Sequence, residues 1–199
     1  QIMQIPTLEN INKEIWNLIE SGVNDITSSF HFPSLSTISL DGNPTSRTVV
    51  LRSFNYEKKT MSFNTDIRSS KWQEMNKNAN ISMHIYDFNK KTQIRIVGQA
   101  ILNYNNKAWD DAWNSSTIMG KECYSTPCNP STIIDDPEII DKNIKDIKFK
   151  SDELDQFKVN FGRIDIKIRS IDWLYLLHTG HRRAKFTYNK NIEMVWLAP

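Results

Sequence analysis

Alternation between apolar and polar positions dominates this chain and predicts a mainly β fold. Many runs rich in valine, isoleucine, threonine and phenylalanine follow this alternation, and short polar turns separate them. Because successive side chains of a strand point to opposite faces, each such run has one face suited to a core and one suited to solvent. Strands are predicted over residues 34–40, 46–54, 60–65, 79–87, 92–103, 159–169, 173–178, 182–188 and 193–197.

Three segments have a helical character instead. Residues 7–21 carry leucine and isoleucine three and four positions apart, so an amphipathic helix is predicted there, ending at Gly22. A second helix is predicted over 70–77, because Ser70 opens a capping-box pattern. A short third helix is expected around residues 107–113. These helices are expected to flank the antiparallel strands.

The length and the composition fit a single domain over residues 1–199. A chain of this length with 39% hydrophobic residues can bury a substantial core. After the N-terminal helix, we expect a barrel core over 33–104, a connecting segment over 105–158 and C-terminal strands over 159–199. The fold class is therefore mainly β, with α-helices added to it.

Composition and spacing argue against several functions. The formal net charge is only +2 and no lysine-arginine block forms a tail, so no nucleic-acid partner is expected. No apolar run could cross a bilayer and no signal-peptide pattern opens the chain, so the protein is expected to be cytoplasmic, without a membrane partner. The pairs Cys123 with Cys128 and His178 with His181 match no metal motif. Rossmann and P-loop patterns are also missing, so any redox chemistry must come from another cofactor.

An anion-binding constellation stands out between residues 47 and 71. Arg47 and Arg52 bracket a short apolar strand, with Arg47 on one face and Arg52 on the other. The planar fork of arginine donors suits a phosphate, and the start of the next helix, with Ser70 and Lys71, adds free N–H groups and a positive charge. Alternatively, the arginines are solvated strand residues and Ser70 is only a helix cap.

Two later strands carry further polar candidates. In the run 92–100, Gln93 and Arg95 share one face, which either binds a partner or faces water. In the strand expected around residue 183, three basic side chains share a face and would repel one another unless an anion or an acidic neighbour offsets them. The basic residues are His181, Arg183 and Lys185, and the acidic alternatives are Asp165, Asp172 and Glu193.

The order of these pieces resembles the pyridoxamine 5'-phosphate oxidase family of FMN-binding split β-barrels, from about Pro33 to Pro199. The resemblance implies an antiparallel split β-barrel with flanking helices. The matching motifs are Arg47 to Arg52, Phe63-Asn64-Thr65, Ser69-Ser70-Lys71, Asn78 and Gln93-Ile94-Arg95-Ile96-Val97-Gly98.

The resemblance also implies an FMN cofactor bound at the interface of a homodimer, with Gln93 reaching the flavin of the neighbouring subunit. The positions that match cofactor-binding residues of the family are Arg47, Thr48, Val49, Val50, Leu51, Arg52, Asn64, Thr65, Ser70, Lys71, Gln93, Trp173 and Lys185. His181 and Arg183 match substrate-binding positions.

The C-terminal motif departs from the family pattern. Where the oxidases have Arg-x-His-Asp-Arg after a tryptophan, this chain has Trp173 and then His181, Arg183 and Lys185, each basic but none identical. The resemblance therefore implies an FMN-dependent oxidoreductase that acts on a small anionic substrate. The alternative is a flavin-binding carrier or a haem-handling protein on the same fold. The substrate, the electron acceptor, any catalytic acid or base and the choice between FMN and a deazaflavin are left open.

Overall fold

A computed structural model describes residues 6–140 and 150–199. In this part of the chain, nine strands pair antiparallel in a single sheet. The strands are β1 (Ser34–Ile38), β2 (Pro44–Thr48), β3 (Ser53–Asn55), β4 (Thr60–Asp66), β5 (Asn80–Asp87), β6 (Thr92–Asn103), β7 (Phe161–Tyr175), β8 (Arg182–Tyr188) and β9 (Ile192–Leu197). The helices are α1 (Leu8–Asn24), α2 (Ser70–Lys77), α3 (Lys107–Ser115) and α4 (Ile118–Glu122).

The sheet follows the order β2-β1-β5-β6-β7-β4-β3, and it branches at β7, where β8 and then β9 are added. The first half of β7 pairs with β4 and its second half pairs with β8, while β6 runs along both halves. One long strand thus belongs to two parts of the barrel. The expected antiparallel split β-barrel with flanking helices is confirmed. Residues 141–149 of the predicted connecting segment lie outside the described residues.

The two strands predicted over 159–169 and 173–178 are one strand, β7. The prediction was wrong because the cross-strand partner β6 continues past the expected break, with a register shift between Val97 and Gly98. A Cβ atom at Gly98 would lie 2.4 Å from the carbonyl oxygen of Lys167. Glycine therefore allows β6 and β7 to approach closely at the point where the pairing changes.

The single strand predicted over 46–54 is in fact two strands, β2 and β3. Between them the chain leaves its partner β1 and crosses to β4. The Val49 and Leu51 N–H groups donate to the carbonyl oxygens of Pro33 and His31, at 3.0 and 2.9 Å, whereas Arg52 N–H donates to Ser62 O at 2.8 Å. A change of partner interrupts the ladder without changing the alternation of side chains, so the sequence pattern does not reveal it.

The predicted end of the first helix and the predicted cap of the second were also wrong, whereas the bounds 70–77 of the second helix are confirmed. Helix α1 passes through Gly22 and ends at Asn24, and a Cβ at Gly22 would lie 2.6 Å from the Cβ of Phe30. This glycine permits close packing rather than ending the helix. The N-cap position of α2 is Ser69 rather than Ser70, but the Ser69 hydroxyl donates to Asp66 O at 2.6 Å and accepts no hydrogen bond from the helix backbone.

The core lies between α1 and the inner face of the sheet. Ile15 and Ile19 of α1 pack in the same buried cluster as Ile96, Ile166 and Phe186 of the strands. At its edge, the buried Tyr188 hydroxyl accepts from Trp16 Nε1 at 3.0 Å and donates to Asn12 Oδ1 at 2.6 Å. This pair of hydrogen bonds ties α1 to β8.

We expect Tyr188→Phe to lower the free energy of unfolding by about 1–2 kcal/mol, because it leaves a buried indole N–H and a buried amide oxygen without partners. Urea unfolding at neutral pH measures this change. Tyr86→Phe, at an exposed position of β5, is the matched control and should leave the unfolding midpoint unchanged. Equal midpoints for the two variants would contradict the expected role of Tyr188.

Candidate functional site

The first group of candidate residues surrounds the guanidinium of Arg47 on β2. Arg47 Nη2 forms an ion pair with Glu74 Oε1 at 3.0 Å, and Nη1 donates to Thr37 Oγ1 at 2.6 Å. Glu74 is only 5% exposed and also accepts from the hydroxyl of Thr37 at 2.9 Å. Helix α2 therefore supplies a carboxylate that orients Arg47, a contact that the sequence reasoning did not anticipate.

Lys71, at the start of α2, belongs to the same group. Its Nζ donates to Thr65 Oγ1 at 3.1 Å and to Ser69 Oγ at 3.3 Å. Burial and, secondly, the nearby charge of Arg47 lower the pKa of Lys71 below its usual value. We call Arg47, Lys71, Glu74, Thr65 and Ser69 the basic cluster. It holds two cations and one carboxylate beside the N-terminus of α2, so its local charge is positive.

Arg52 and Asn64 lie elsewhere, in a cavity of about 810 Å³. This polar cavity is bounded by β3, β4 and β7 on one side and by α3, α4 and Tyr124 on the other. Asn64 and Thr65 are neighbours on β4 and point to opposite faces, so Thr65 joins the basic cluster and Asn64 joins the cavity. The structure brings Arg47 and Lys71 together, as predicted, and separates Arg52 from them.

The floor of the polar cavity carries an ion pair that the sequence reasoning missed as a site. Arg163 Nε donates to Asp165 Oδ1 at 3.2 Å, and Asp165 also accepts from Ser62 Oγ at 2.6 Å and from Asn103 Nδ2 at 2.9 Å. Arg163 reaches Asn64 as well. The available signal was a pair of opposite charges two positions apart, on the same face of an alternating strand.

Tyr124 forms part of the wall opposite this floor. Its ring packs edge-on against Phe161 at 5.1 Å and tilted against Trp113 at 6.1 Å. Burial raises the pKa of Tyr124 well above its usual range, so the phenol keeps its proton at neutral pH. A protonated phenol can donate or accept a hydrogen bond within the cavity.

Residues 13–103 match the family model of the pyridoxamine 5'-phosphate oxidase FMN-binding domain. This match covers the basic cluster and also Arg52, Asn64 and Gln93. Over these residues the chain is similar to the FMN-binding domain of the pyridoxamine 5'-phosphate oxidase family. FMN is the cofactor of this domain family, which confirms the expected cofactor.

One curated relative and two solved structures show how far the similarity extends. The pyridoxine/pyridoxamine 5'-phosphate oxidase 2 of Arabidopsis thaliana is 29% identical over 118 residues, which cover 53% of this chain and 60% of that protein. A pyridoxamine 5'-phosphate oxidase-related FMN-binding protein from Nostoc punctiforme has a TM-score of 0.73 at 18% identity. The match covers 99% of this chain and 100% of the Nostoc chain. PhzG from Burkholderia lata has a TM-score of 0.74 at 17% identity, and the match covers 100% of this chain and 98% of the PhzG chain. The two structures support the fold.

The basic cluster fits the phosphate of FMN by the chemistry of its donors. Four donor groups lie around the start of α2: the Arg47 guanidinium, the Lys71 ammonium and the hydroxyls of Thr65 and Ser70. Ser70 is exposed there. Two neighbouring cations with a single carboxylate leave room for an added negative charge. Arg47, Thr65, Ser70 and Lys71 are therefore the residues of the FMN-binding domain that would hold the phosphate.

Between the basic cluster and the polar cavity runs the segment from Thr48 to Arg52. Val49 and Leu51 are buried in the core, so only their backbone could face a ligand. Thr48 is exposed and Val50 is half-buried, and neither Val50 backbone group is hydrogen-bonded within the described residues. The assignment of these four residues to the cofactor stays a prediction.

Gln93 and Trp173 occupy different environments. Gln93 lies half-buried on the outer face of β6, where its Oε1 is 3.0 Å from His84 Nε2. Trp173 is 8% exposed, packs in the core and stacks on Tyr175 with ring centres 6.2 Å apart. Neither residue lines the polar cavity of its own chain, and the contact of each with the cofactor stays a prediction.

The three basic C-terminal residues do not gather at one anion site within this chain. The guanidinium of Arg183 forms a bidentate ion pair with Asp172, with bonds of 3.0 and 2.7 Å, and this raises the pKa of Arg183. His181 lies outside β8 and its Nδ1 accepts from the Leu177 N–H, while Lys185 is exposed on β8. Arg183 thus pairs with an acidic neighbour, which was the alternative to anion binding in the sequence analysis. The substrate-binding roles of Arg183 and His181 stay predictions.

Metal and membrane signals were searched over residues 6–140 and 150–199. No group of three histidine, cysteine, aspartate or glutamate side chains there could hold a metal ion. No helix in the same ranges is both long enough and apolar enough to cross a bilayer.

Proposed function

We propose that this protein is an FMN-dependent oxidoreductase that acts on a small anionic substrate. The observation that carries the proposal is the meeting of Arg47 and Lys71, from β2 and from the start of α2, in one positively charged cluster inside an FMN-binding domain. Two cations at a helix start are suited to a phosphate dianion because their charges and N–H groups converge on it.

In this proposal the chain binds and orients the cofactor. Arg47, held by Glu74, and Lys71, held by Thr65 and Ser69, bind the phosphate. The backbone N–H of Val50, which has no acceptor among the described residues, is one donor along the segment that leads from the basic cluster to the polar cavity. FMN, when bound, supplies the redox chemistry, and the protein contributes binding, orientation and nearby charge.

The polar cavity is the proposed substrate site. Its volume of about 810 Å³ lies in the range of small-molecule sites, about 300–1,000 Å³. Arg52 lies at its surface and has no hydrogen bond or ion pair through its side chain within the described residues, so its charge is available to an anion. The wall of α3 and α4 shields the cavity from water on one side.

We also propose that the protein acts as a homodimer. Gln93 lies on the outer face of β5 and β6, where Tyr86, Val97 and Ile101 are 41%, 44% and 48% exposed. Ile101 also lines the polar cavity, so this apolar face continues into the proposed substrate site. A second copy on this face would cover apolar surface and place its own polar residues near the cavity.

The purified protein is expected to be yellow, or to become yellow when it is incubated with FMN. Absorption spectra and mass analysis of the released chromophore identify the cofactor, and light scattering is expected to give twice the mass of one chain. Oxygen uptake is then measured with pyridoxamine 5'-phosphate and with carboxylate-bearing reductants, since oxidation of a bound substrate is the expected activity.

The outcomes separate the two functions that the sequence left open. Substrate-dependent reduction of the bound flavin supports an oxidoreductase. Tight FMN binding with no reduction by any tested substrate would support a carrier instead. A protein that binds no FMN at micromolar concentration would overturn the proposal altogether.

A further inference from the structure

We propose that the phenol of Tyr124 and the guanidinium of Arg52 bind one oxyanion group of the substrate between them in the polar cavity. This inference rests on the proposed function in one respect, because that function makes the cavity the substrate site. Tyr124 lies just after α4, beyond the residues that match the FMN-binding domain, whereas Arg52 lies within them. The substrate contact would therefore combine one residue from inside that match with one from outside it.

Packing fixes the ring of Tyr124 on the cavity wall. The ring contacts Phe161 and Trp113, with ring centres 5.1 and 6.1 Å away. The Tyr124 backbone N–H donates to Lys121 O at 3.1 Å, and its carbonyl oxygen accepts from Asn160 Nδ2 at 3.0 Å. None of these contacts uses the hydroxyl. A side chain held in this way loses little conformational freedom when a ligand binds to it.

The hydroxyl of Tyr124 is open to a ligand. It has no hydrogen-bond partner in the described residues, and no unpartnered polar side-chain atom there is fully buried. The hydroxyl of Tyr188, by contrast, is bonded to Trp16 and Asn12. Because Tyr124 lines the polar cavity, the cavity is the open space within its reach. Burial of the ring raises the pKa of Tyr124, so the phenol is a hydrogen-bond donor at neutral pH.

Arg52 adds a positive charge close to this phenol. The two residues line the same cavity. The charge of Arg52 favours the ionised phenol and so lowers the pKa of Tyr124 against the larger effect of burial, which requires the two groups to lie near each other. A neutral donor beside a cation suits an oxyanion, because the phenol supplies a directed hydrogen bond and the guanidinium supplies charge.

The carboxylates that line the cavity do not compete for Arg52. Asp165 is paired with Arg163 at 3.2 Å, and Asp111 is paired with Lys107 at 2.5 Å. Each of these two carboxylates therefore already has a cation, whereas the side chain of Arg52 has no acidic partner in the described residues. An anion that entered the cavity would supply the missing negative charge.

The first test compares three probes on the FMN-loaded protein: benzoate, phenyl phosphate and the neutral benzamide. Dissociation constants are measured by ligand-observed NMR titration. We expect at least one anion to bind about tenfold more tightly than benzamide, since a charge-assisted contact replaces a neutral one. The two anions distinguish a carboxylate substrate from a phosphate substrate. If neither anion binds more tightly than benzamide, the inference is overturned in the wild-type protein, without any variant.

The variant Tyr124→Phe removes only the hydroxyl. We expect it to raise the dissociation constant of the tighter anion about tenfold. The urea unfolding midpoint should not change, because the hydroxyl has no partner in the described residues. Tyr104→Phe is the matched control: the Tyr104 hydroxyl donates to Val159 O outside the cavity, so the affinity for the anion should be unchanged. A Tyr124→Phe protein with the anion affinity of the wild type would refute the role of Tyr124.

A double-mutant cycle tests whether Tyr124 and Arg52 bind the same group. Arg52→Gln alone is expected to raise the dissociation constant of the anion about 30-fold. The double variant should show a loss of about 50-fold, well below the product of about 300-fold, because residues that share one partner do not act additively. A loss equal to the product would show that the two residues act on separate groups and would overturn the inference.

The FMN dissociation constant of each variant, measured by flavin fluorescence, separates this inference from the proposed function. We expect Tyr124→Phe to bind FMN as the wild type does, because the basic cluster is untouched. If the wild type fails to bind FMN, the proposed function fails, and the three probes are compared on the protein as purified. If FMN binds and the loss of the Tyr124 hydroxyl leaves anion binding unchanged, only the present inference fails.

Discussion

Replacing Arg47 with alanine is expected to raise the dissociation constant for FMN by about 100-fold. The change removes the charged fork that would bind the phosphate, and charge-assisted hydrogen bonds contribute about 1.5–3 kcal/mol each. It also leaves the buried carboxylate of Glu74 without its cation. The free energy of unfolding should therefore fall by about 3 kcal/mol, a typical cost when one partner of a buried ion pair is lost.

Flavin fluorescence titration and urea unfolding measure the two effects separately. Glu74→Gln is the matched variant, because it keeps an oxygen acceptor for Arg47 but removes the negative charge beside the phosphate site. We expect it to retain FMN, and the combination with Arg47→Ala to recover part of the lost stability. An Arg47→Ala protein that is stable and binds FMN as tightly as the wild type would show that the phosphate lies elsewhere.

Replacing Lys71 with methionine is expected to weaken FMN binding by about 30-fold, the loss of one charge-assisted contact, and to stabilise the ligand-free protein at neutral pH. The two effects have opposite signs for one reason: the ammonium is half-buried near the charge of Arg47, which is unfavourable until an anion binds. The Thr65 and Ser69 hydroxyls lie 3.3 Å apart and can bond to each other after the change.

The pH dependence of stability gives a second readout for Lys71. Because burial lowers the pKa of Lys71 in the folded state, the unfolded chain binds more protons between that lowered pKa and the ordinary value of 10.5. Stability contributed by this group therefore rises with pH through that window. The Lys71→Met variant should lack the rise in the absence of FMN. Lys77→Met, which replaces an exposed lysine on the same helix, is the control and should keep it.

Alternation along the strand placed Arg47 and Arg52 on opposite faces, and in the structure Arg47 contacts Glu74 whereas Arg52 lines the polar cavity. The helix start that carries Lys71 was predicted within one residue. Pairing was harder to predict. Strand 46–54 divides because the chain changes partner, and β7 continues past its expected end because β6 accompanies it. Such changes depend on residues far away in sequence.

The site residues likewise divide into those that a local motif predicts and those that depend on residues far away in sequence. The proximity of Arg47 and Lys71 followed from a local motif of strand, turn and helix start. For Arg183 the sequence left two alternatives, an anionic ligand or an acidic neighbour. Only the pairing of β7 with β8 places Asp172 beside this arginine. Arg163 escaped attention because a charged residue on an alternating strand is ordinarily exposed to solvent, and nothing nearby in sequence indicates that α3 and α4 cover that face.

The sequence by itself determined the mainly β fold class, the anion-binding chemistry at residues 47 and 71 and the resemblance to FMN-binding split barrels. These features depend on the side-chain period and on short motifs, which are local properties of the chain. Only the tertiary structure decided that Glu74 orients Arg47, that Arg52 lies in a separate cavity and that Arg163 and Asp165 form its floor. Those arrangements require strands and helices distant in sequence to pack together, and alternation along one strand carries no information about what packs against it.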